Sequence, residues 1–175
     1  MRVITRGNQP IAALALSSII FLGPFTLSGQ ASEVSPVLPN AQVTPGAINP
    51  AVTQSNIGQT ICVLGYTKTI RPPVSYTTAL KKSQLRTLPY SSYGSTDTKL
   101  FEEDHLIPLE LGGNPTSPKN LWPEPWSGTS GARLKDALEN KLHLLVCSHT
   151  LTLKVAQKAI ATNWYLAYQT YVKGQ

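Results

Sequence analysis

Between Ala132 and Val146 the apolar and polar positions separate onto two stripes. Leu134, Leu138, Leu142 and Leu145 recur at helical spacing on one face, and Asp136, Glu139, Asn140 and His143 occupy the opposite one. The pattern predicts an amphipathic helix. Upstream, the stretch Glu102-Glu103-Asp104-His105-Leu106-Ile107 is a short hydrophobic-and-acidic strand. A Gly112-Gly113-Asn114-Pro115 turn breaks it, and Asn120-Leu121-Trp122-Pro123 opens a second strand. So many glycines and prolines exclude a long helix and fit a hairpin with a wide loop. Earlier still, Thr60 to Tyr66 is β-branched and apolar, and predicts a strand that Arg71-Pro72-Pro73 stops. A short helix is expected over Tyr76 to Leu88, with Leu80, Leu85 and Leu88 apolar and Lys81, Lys82 and Arg86 on a solvated surface. The last segment, Leu151 to Val172, reads as one or two helices packed through Val155, Ile160, Trp164, Leu166, Tyr168 and Tyr171. The order of elements predicts an α+β fold.

The remaining third of the chain changes that picture mainly by exclusion. Arg2 and Arg6 precede an almost unbroken apolar run from Ile11 to Leu27, and Gly29-Gln30-Ala31 supplies small residues for cleavage. This is the layout of a secretory signal over residues 1–31, the alternative being a retained membrane anchor; Pro24 and the small-residue exit favour cleavage, with no stable membrane insertion afterwards. The expected location is secreted or periplasmic. Residues 32–57, carrying Pro36, Pro39, Pro45 and Pro50 and a single charge, Glu33, are expected to be an extended Pro-rich linker. The folded domain is then expected over 58–175, long enough for one modest core.

The chain has 15 Lys and Arg against 9 Asp and Glu, a net charge of +6, and loss of the leader lowers it to +4. That excess suits a polyanionic partner without defining one, because no run of five basic residues occurs. Cys62 and Cys147 are the two cysteines. In an oxidising compartment they predict one disulfide, the alternative being two buried free thiols, and their spacing excludes a thiolate zinc knuckle.

The chemistry concentrates in the predicted hairpin. Asp104 offers hard oxygen to a divalent cation, and His105 can take a proton from water near neutral pH. In a regular strand the two side chains point to opposite faces, so they share a site only where the strand ends, as Pro108 and the Gly-Gly turn allow. His105 needs a partner to set its tautomer, and a backbone carbonyl of the second strand held by Asn120 can serve. Trp122 and Trp126, flanked by prolines, read as packing residues, with stacking on a base as the other available role.

Glu103-Asp104-His105-Leu106-Ile107-Pro108, the Gly112-Gly113 turn and Asn120-Leu121-Trp122 resemble the signature of HNH endonucleases of the ββα-metal superfamily. Thr60 to Pro73 and Lys135-Asp136 to Cys147 are similar to an exported branch of such proteins. The resemblance implies a small ββα-metal core of hairpin plus helix, an N-terminal strand and C-terminal helices. It implies His105 as general base, Asp104 as first metal ligand and Asn120 as the brace of the hairpin. The third element departs from the family: the helix opens with Gly131, Ala132 and Arg133, so Asp136 is the first available second ligand, with Glu139, Asn140 and His143 behind it. If the leucine stripe packs on the hairpin, those polar residues face water; if it packs on the C-terminal helices, they can complete the site. The implied activity is phosphodiester hydrolysis with Mg²⁺ or Mn²⁺ ahead of Zn²⁺, on nucleic acid of low sequence specificity, DNA ahead of RNA. The alternative is a noncatalytic exported domain that keeps the scaffold to bind nucleic acid or a wall component.

Overall fold

The computed structural model describes residues 1, 3, 36–128 and 130–174. The predicted signal segment lies outside them but for Met1 and Val3. Contacts divide the chain at Glu33/Val34, and every element below belongs to the unit Val34–Gln175. Among the described residues no helix is long and apolar enough to cross a membrane.

The unit is α+β, with one two-stranded antiparallel sheet. Helix α1 (Tyr66–Ile70) and helix α2 (Val74–Gln84) lead to strand β1 (Phe101–His105). Strand β2 (Leu121–Pro125) pairs with β1 so that Phe101 faces Pro125 and His105 faces Leu121. Helix α3 (Ala132–Cys147) and helix α4 (Leu153–Tyr168) close the chain, the latter kinked at Asn163 and continued by a π-turn, Gln169–Lys173. Asn163 Oδ1 accepts from Leu166 N at 2.9 Å and so restarts the helix beyond the kink.

Helix α3 packs against α4 through a stripe of Leu138, Leu142 and Val146, all fully buried beside Ile160 and Trp164. The same stripe brings Lys135 to the hairpin, whereas on the polar stripe Glu139 is half-buried and Asp136 and Asn140 are exposed, so neither of the two expected arrangements holds as a whole. Val155 and Leu166, expected to pack, are instead exposed. They lie on the outer face of α4, where the helical period alone does not say which apolar residues are inward.

Two further expectations are corrected. Thr60–Tyr66 is not a strand: Cys62 N donates to Ile57 O, Val63 N donates to Thr60 O, and Gly65, at φ +86°, opens α1. Its β-branched residues had no sheet edge to join, and β propensity is decided by such partners. Residues 36–57 are not a free linker. Gly46 N donates to Lys119 O, Asn49 N to Gly112 O, and Asn114 N to Ala47 O, while Val52 and Ile57 are buried in the core. Thr44 Oγ1 and Tyr90 OH form a buried hydrogen bond of 2.6 Å. Isolated apolar residues separated by prolines show no period, yet Val52 and Ile57 reach the core while Val43 and Ile48 stay exposed.

Cys62 and Cys147 form the expected disulfide, joining the segment before α1 to the end of α3 across 85 residues. A loop of that length stabilises by about 4–5 kcal/mol in the chain-entropy account. Replacing both cysteines by serine is expected to lower unfolding stability by that order in urea titrations. A loss under about 1 kcal/mol would show that packing alone holds these segments together.

Candidate active site

The sharp turn after β1 begins the site. Gly112 has φ +71°, and a Cβ on Gly113 would lie 1.7 Å from the Ile107 carbonyl oxygen, so both positions require glycine. Asn120, fully buried, occupies the space under this turn. Its Oδ1 accepts from Ile107 N at 3.0 Å and from Ala47 N at 3.3 Å. Its Nδ2 donates to Ile107 O at 2.9 Å and to Asn114 O at 3.0 Å. All its side-chain polar atoms are used, and the loop between the strands is locked. Asn120 thus ties Ile107, Ala47 and Asn114 together through its side chain.

His105 ends β1 and is 5 % exposed. Its Nε2 lies 2.9 Å from the Pro115 carbonyl oxygen. A carbonyl only accepts, so Nε2 carries the proton and the neutral ring keeps an unprotonated Nδ1. The orienting carbonyl belongs to the loop rather than to the second strand, one residue beyond the Asn114 that Asn120 holds. Burial pushes the His105 imidazole below its ordinary range, against the opposing pull of the Pro115 carbonyl and Asp104. The ring is therefore neutral at pH 7.

Because β1 stops at His105, Asp104 and His105 line one cleft of about 110 Å³, as the strand-end argument requires. Glu102, Glu110, Asp136 and Glu139 also line it, with Arg71 from the end of α1. Five of the nine acidic residues in a basic chain therefore meet in one small cavity. Asp136 sits exposed at the rim on the first turns of α3, so the structure brings Asp104, His105 and Asp136 to the same cleft. Asn140 and His143 do not line it. Asn140 Nδ2 donates to the Asp136 carbonyl at 2.8 Å, and His143 Nε2 donates to the Ile61 carbonyl at 2.9 Å.

The residue that sequence reasoning passed over is Lys135. It is 1 % exposed, and its Nζ donates to Asp104 Oδ2, to Glu139 Oε1 and, at 2.8 Å, to the His105 carbonyl. Its charge is satisfied on three sides. Burial alone would lower its affinity for the proton, but Asp104 and Glu139 outweigh this and raise it. Burial likewise opposes ionisation of Asp104, and Lys135 holds it below the usual carboxylate range. A signal was present: Lys135, Leu138, Leu142 and Val146 continue one stripe at spacings of three and four, so the lysine stands at a buried position. Lys81, expected on a solvated surface, also works inward, its Nζ donating to Phe101 O at 2.8 Å and tying α2 to β1.

Like charge is crowded here. Burial pushes the Glu102 carboxyl up to about 7, with Asp104 and Asp136 adding to it. Burial raises Glu139 to about 8, with Asp104 and Glu110 adding and Lys135 opposing. Behind the cleft, fully buried Glu124 is raised to about 10 by burial and then by Asp104. Glu124 is therefore protonated at neutral pH.

A second cluster lies apart. Donor atoms of Cys62, His143 and Cys147 fall within 4.8 Å of one another. The two sulfurs are bonded to each other, and thiolate ligation and the disulfide exclude one another. Compared with family models, curated proteins and solved structures, the chain matches none of them.

Proposed function

We propose that this protein is an exported, divalent-metal-dependent nuclease that hydrolyses phosphodiester bonds, with the hairpin and α3 serving as a ββα-metal unit. One observation carries the reading: a neutral, tautomer-fixed His105 opens beside Asp104 into a cleft lined by five carboxyl groups. A cavity so acidic repels a phosphodiester unless a cation intervenes, while a solvated acidic surface would need no fixed imidazole.

The donor set fits Mg²⁺ or Mn²⁺, which take carboxylate oxygen, better than Zn²⁺, which favours sulfur and nitrogen. Asp104 and Asp136 would hold the ion, with Glu102 lining the same cleft. When bound, such an ion neutralises charge developing on the scissile phosphate and leaving oxygen. His105 Nδ1 takes the proton of a water whose oxygen attacks phosphorus, and the P–O bond to the leaving oxygen breaks. Asn120 and the Pro115 carbonyl keep the imidazole in that tautomer, and Arg71 offers hydrogen bonds to phosphate oxygen. The disulfide suits an oxidising compartment and so supports export.

One observation favours the noncatalytic alternative: Lys135 already supplies Asp104 and Glu139 with a built-in cation. Cleavage of DNA and RNA by purified protein with Mg²⁺, Mn²⁺ or Zn²⁺ separates the two. Hydrolysis that chelator abolishes supports the nuclease; no cleavage with any of the three leaves the binding domain. Asp104→Asn is expected to weaken Mg²⁺ binding about tenfold or more in calorimetric titrations, since a charged hard ligand becomes neutral. Unchanged affinity would move the ion away from Asp104.

A further inference from the structure

Next to the cleft is a groove of about 210 Å³ that shares Arg71, Glu102 and His105 with it. One wall is Trp126, 45 % exposed, while the other two tryptophans, Trp122 and Trp164, are fully buried. The Trp126 backbone is anchored, its N–H donating to Leu100 O at 3.0 Å, and Gly131 passes so close that a Cβ there would meet the Trp126 carbonyl oxygen at 2.5 Å. An apolar ring held at a surface between fixed backbone points is a ready stacking platform. Across the groove lie Val74 and Thr78 of α2, Val74 being 79 % exposed. Glu103 also contributes to its lining, with both carboxyl oxygens buried.

Resting on the nuclease reading, we infer that this groove takes one unpaired nucleobase, stacked on Trp126, of a single-stranded nucleic acid whose next phosphate lies between Arg71 and His105. A paired base presents its face to its neighbours in the helix and cannot lie against the indole, so the groove selects single strands or frayed ends. Arg71 stands where the two cavities meet, which is where the backbone must pass from base to scissile phosphate.

The test is binding and cleavage measured side by side on the full protein in Mg²⁺, using a short single-stranded DNA and its fully paired duplex. Single strands are expected to quench tryptophan emission and to bind at least tenfold more tightly than the duplex. Trp126→Ala is expected to weaken single-strand binding about 5- to 100-fold, while Trp126→Phe, which keeps an aromatic face, stays within about threefold of the parent. Equal affinity of Trp126→Ala and parent, equal affinity for duplex and single strand, or no binding of either would overturn the subsite. Single-strand binding that depends on Trp126 but goes with no cleavage would instead retire the catalytic reading and leave the subsite in place.

Discussion

Replacing His105 by alanine is expected to lower phosphodiester cleavage about 10²- to 10⁴-fold with little change in substrate affinity, the range by which a positioned general base accelerates proton transfer. The ring earns that expectation through its geometry. Pro115 fixes the tautomer, burial keeps the ring neutral, and Asn120 holds the loop that carries Pro115. The alanine variant leaves the turn itself intact, because Asn120 bonds to backbone and not to the imidazole. Initial rates under single-turnover conditions, read beside circular dichroism of both proteins, make the comparison. A variant as active as the parent would remove His105 from the mechanism.

Lys135→Met is expected to destabilise the fold by about 3–5 kcal/mol, measured by urea unfolding at pH 7. Methionine nearly matches the volume of the lysine stem but leaves Asp104 facing Glu139 and Glu124 with no cation between them. Breaking a buried ion pair from one side costs this much because an uncompensated charge remains. Adding Asp104→Asn to Lys135→Met should restore part of the loss, since residues in one network are not additive. A single-variant loss below about 1 kcal/mol would mean that solvent already reaches the ammonium. The same pair gives an acid limit. Asp104 is held below its ordinary value, so the stability it contributes is complete above the unfolded carboxylate value near 4 and is lost as pH falls through the depressed folded value.

Much of this arrangement was legible from residue order. Asp104-His105 before a Gly-Gly turn and Asn120 after it define a hairpin with polar atoms to satisfy, and local spacing suffices to see that. Lys135 and Glu124 were not legible in the same way. Lys135 stands beside Asp136 on a charged helix and Glu124 between two prolines, and only neighbours distant in sequence reveal that one is an ammonium held by Asp104 and the other a neutral carboxyl. Trp126 shows the same limit from the other side, since the Trp122-Pro-Glu-Pro-Trp126 run gives both indoles the same local context while burial separates them completely.

By itself the sequence determined what short-range chemistry can encode: the two strands and their glycine turn, the helical period of α3 and α4, the pairing of its two cysteines, and an acid beside an imidazole at a strand end. Tertiary structure decided the rest. It drew residues 36–57 across the turn, denied Thr60–Tyr66 a sheet partner, and set Lys135 of α3 against Asp104 and the His105 carbonyl while its leucines packed on α4. The physical reason is that charge compensation is a property of a surrounding, assembled from segments as far apart as Asp104 and Lys135: a helical period can mark Lys135 as inward-facing, but it does not name the carboxylate it meets.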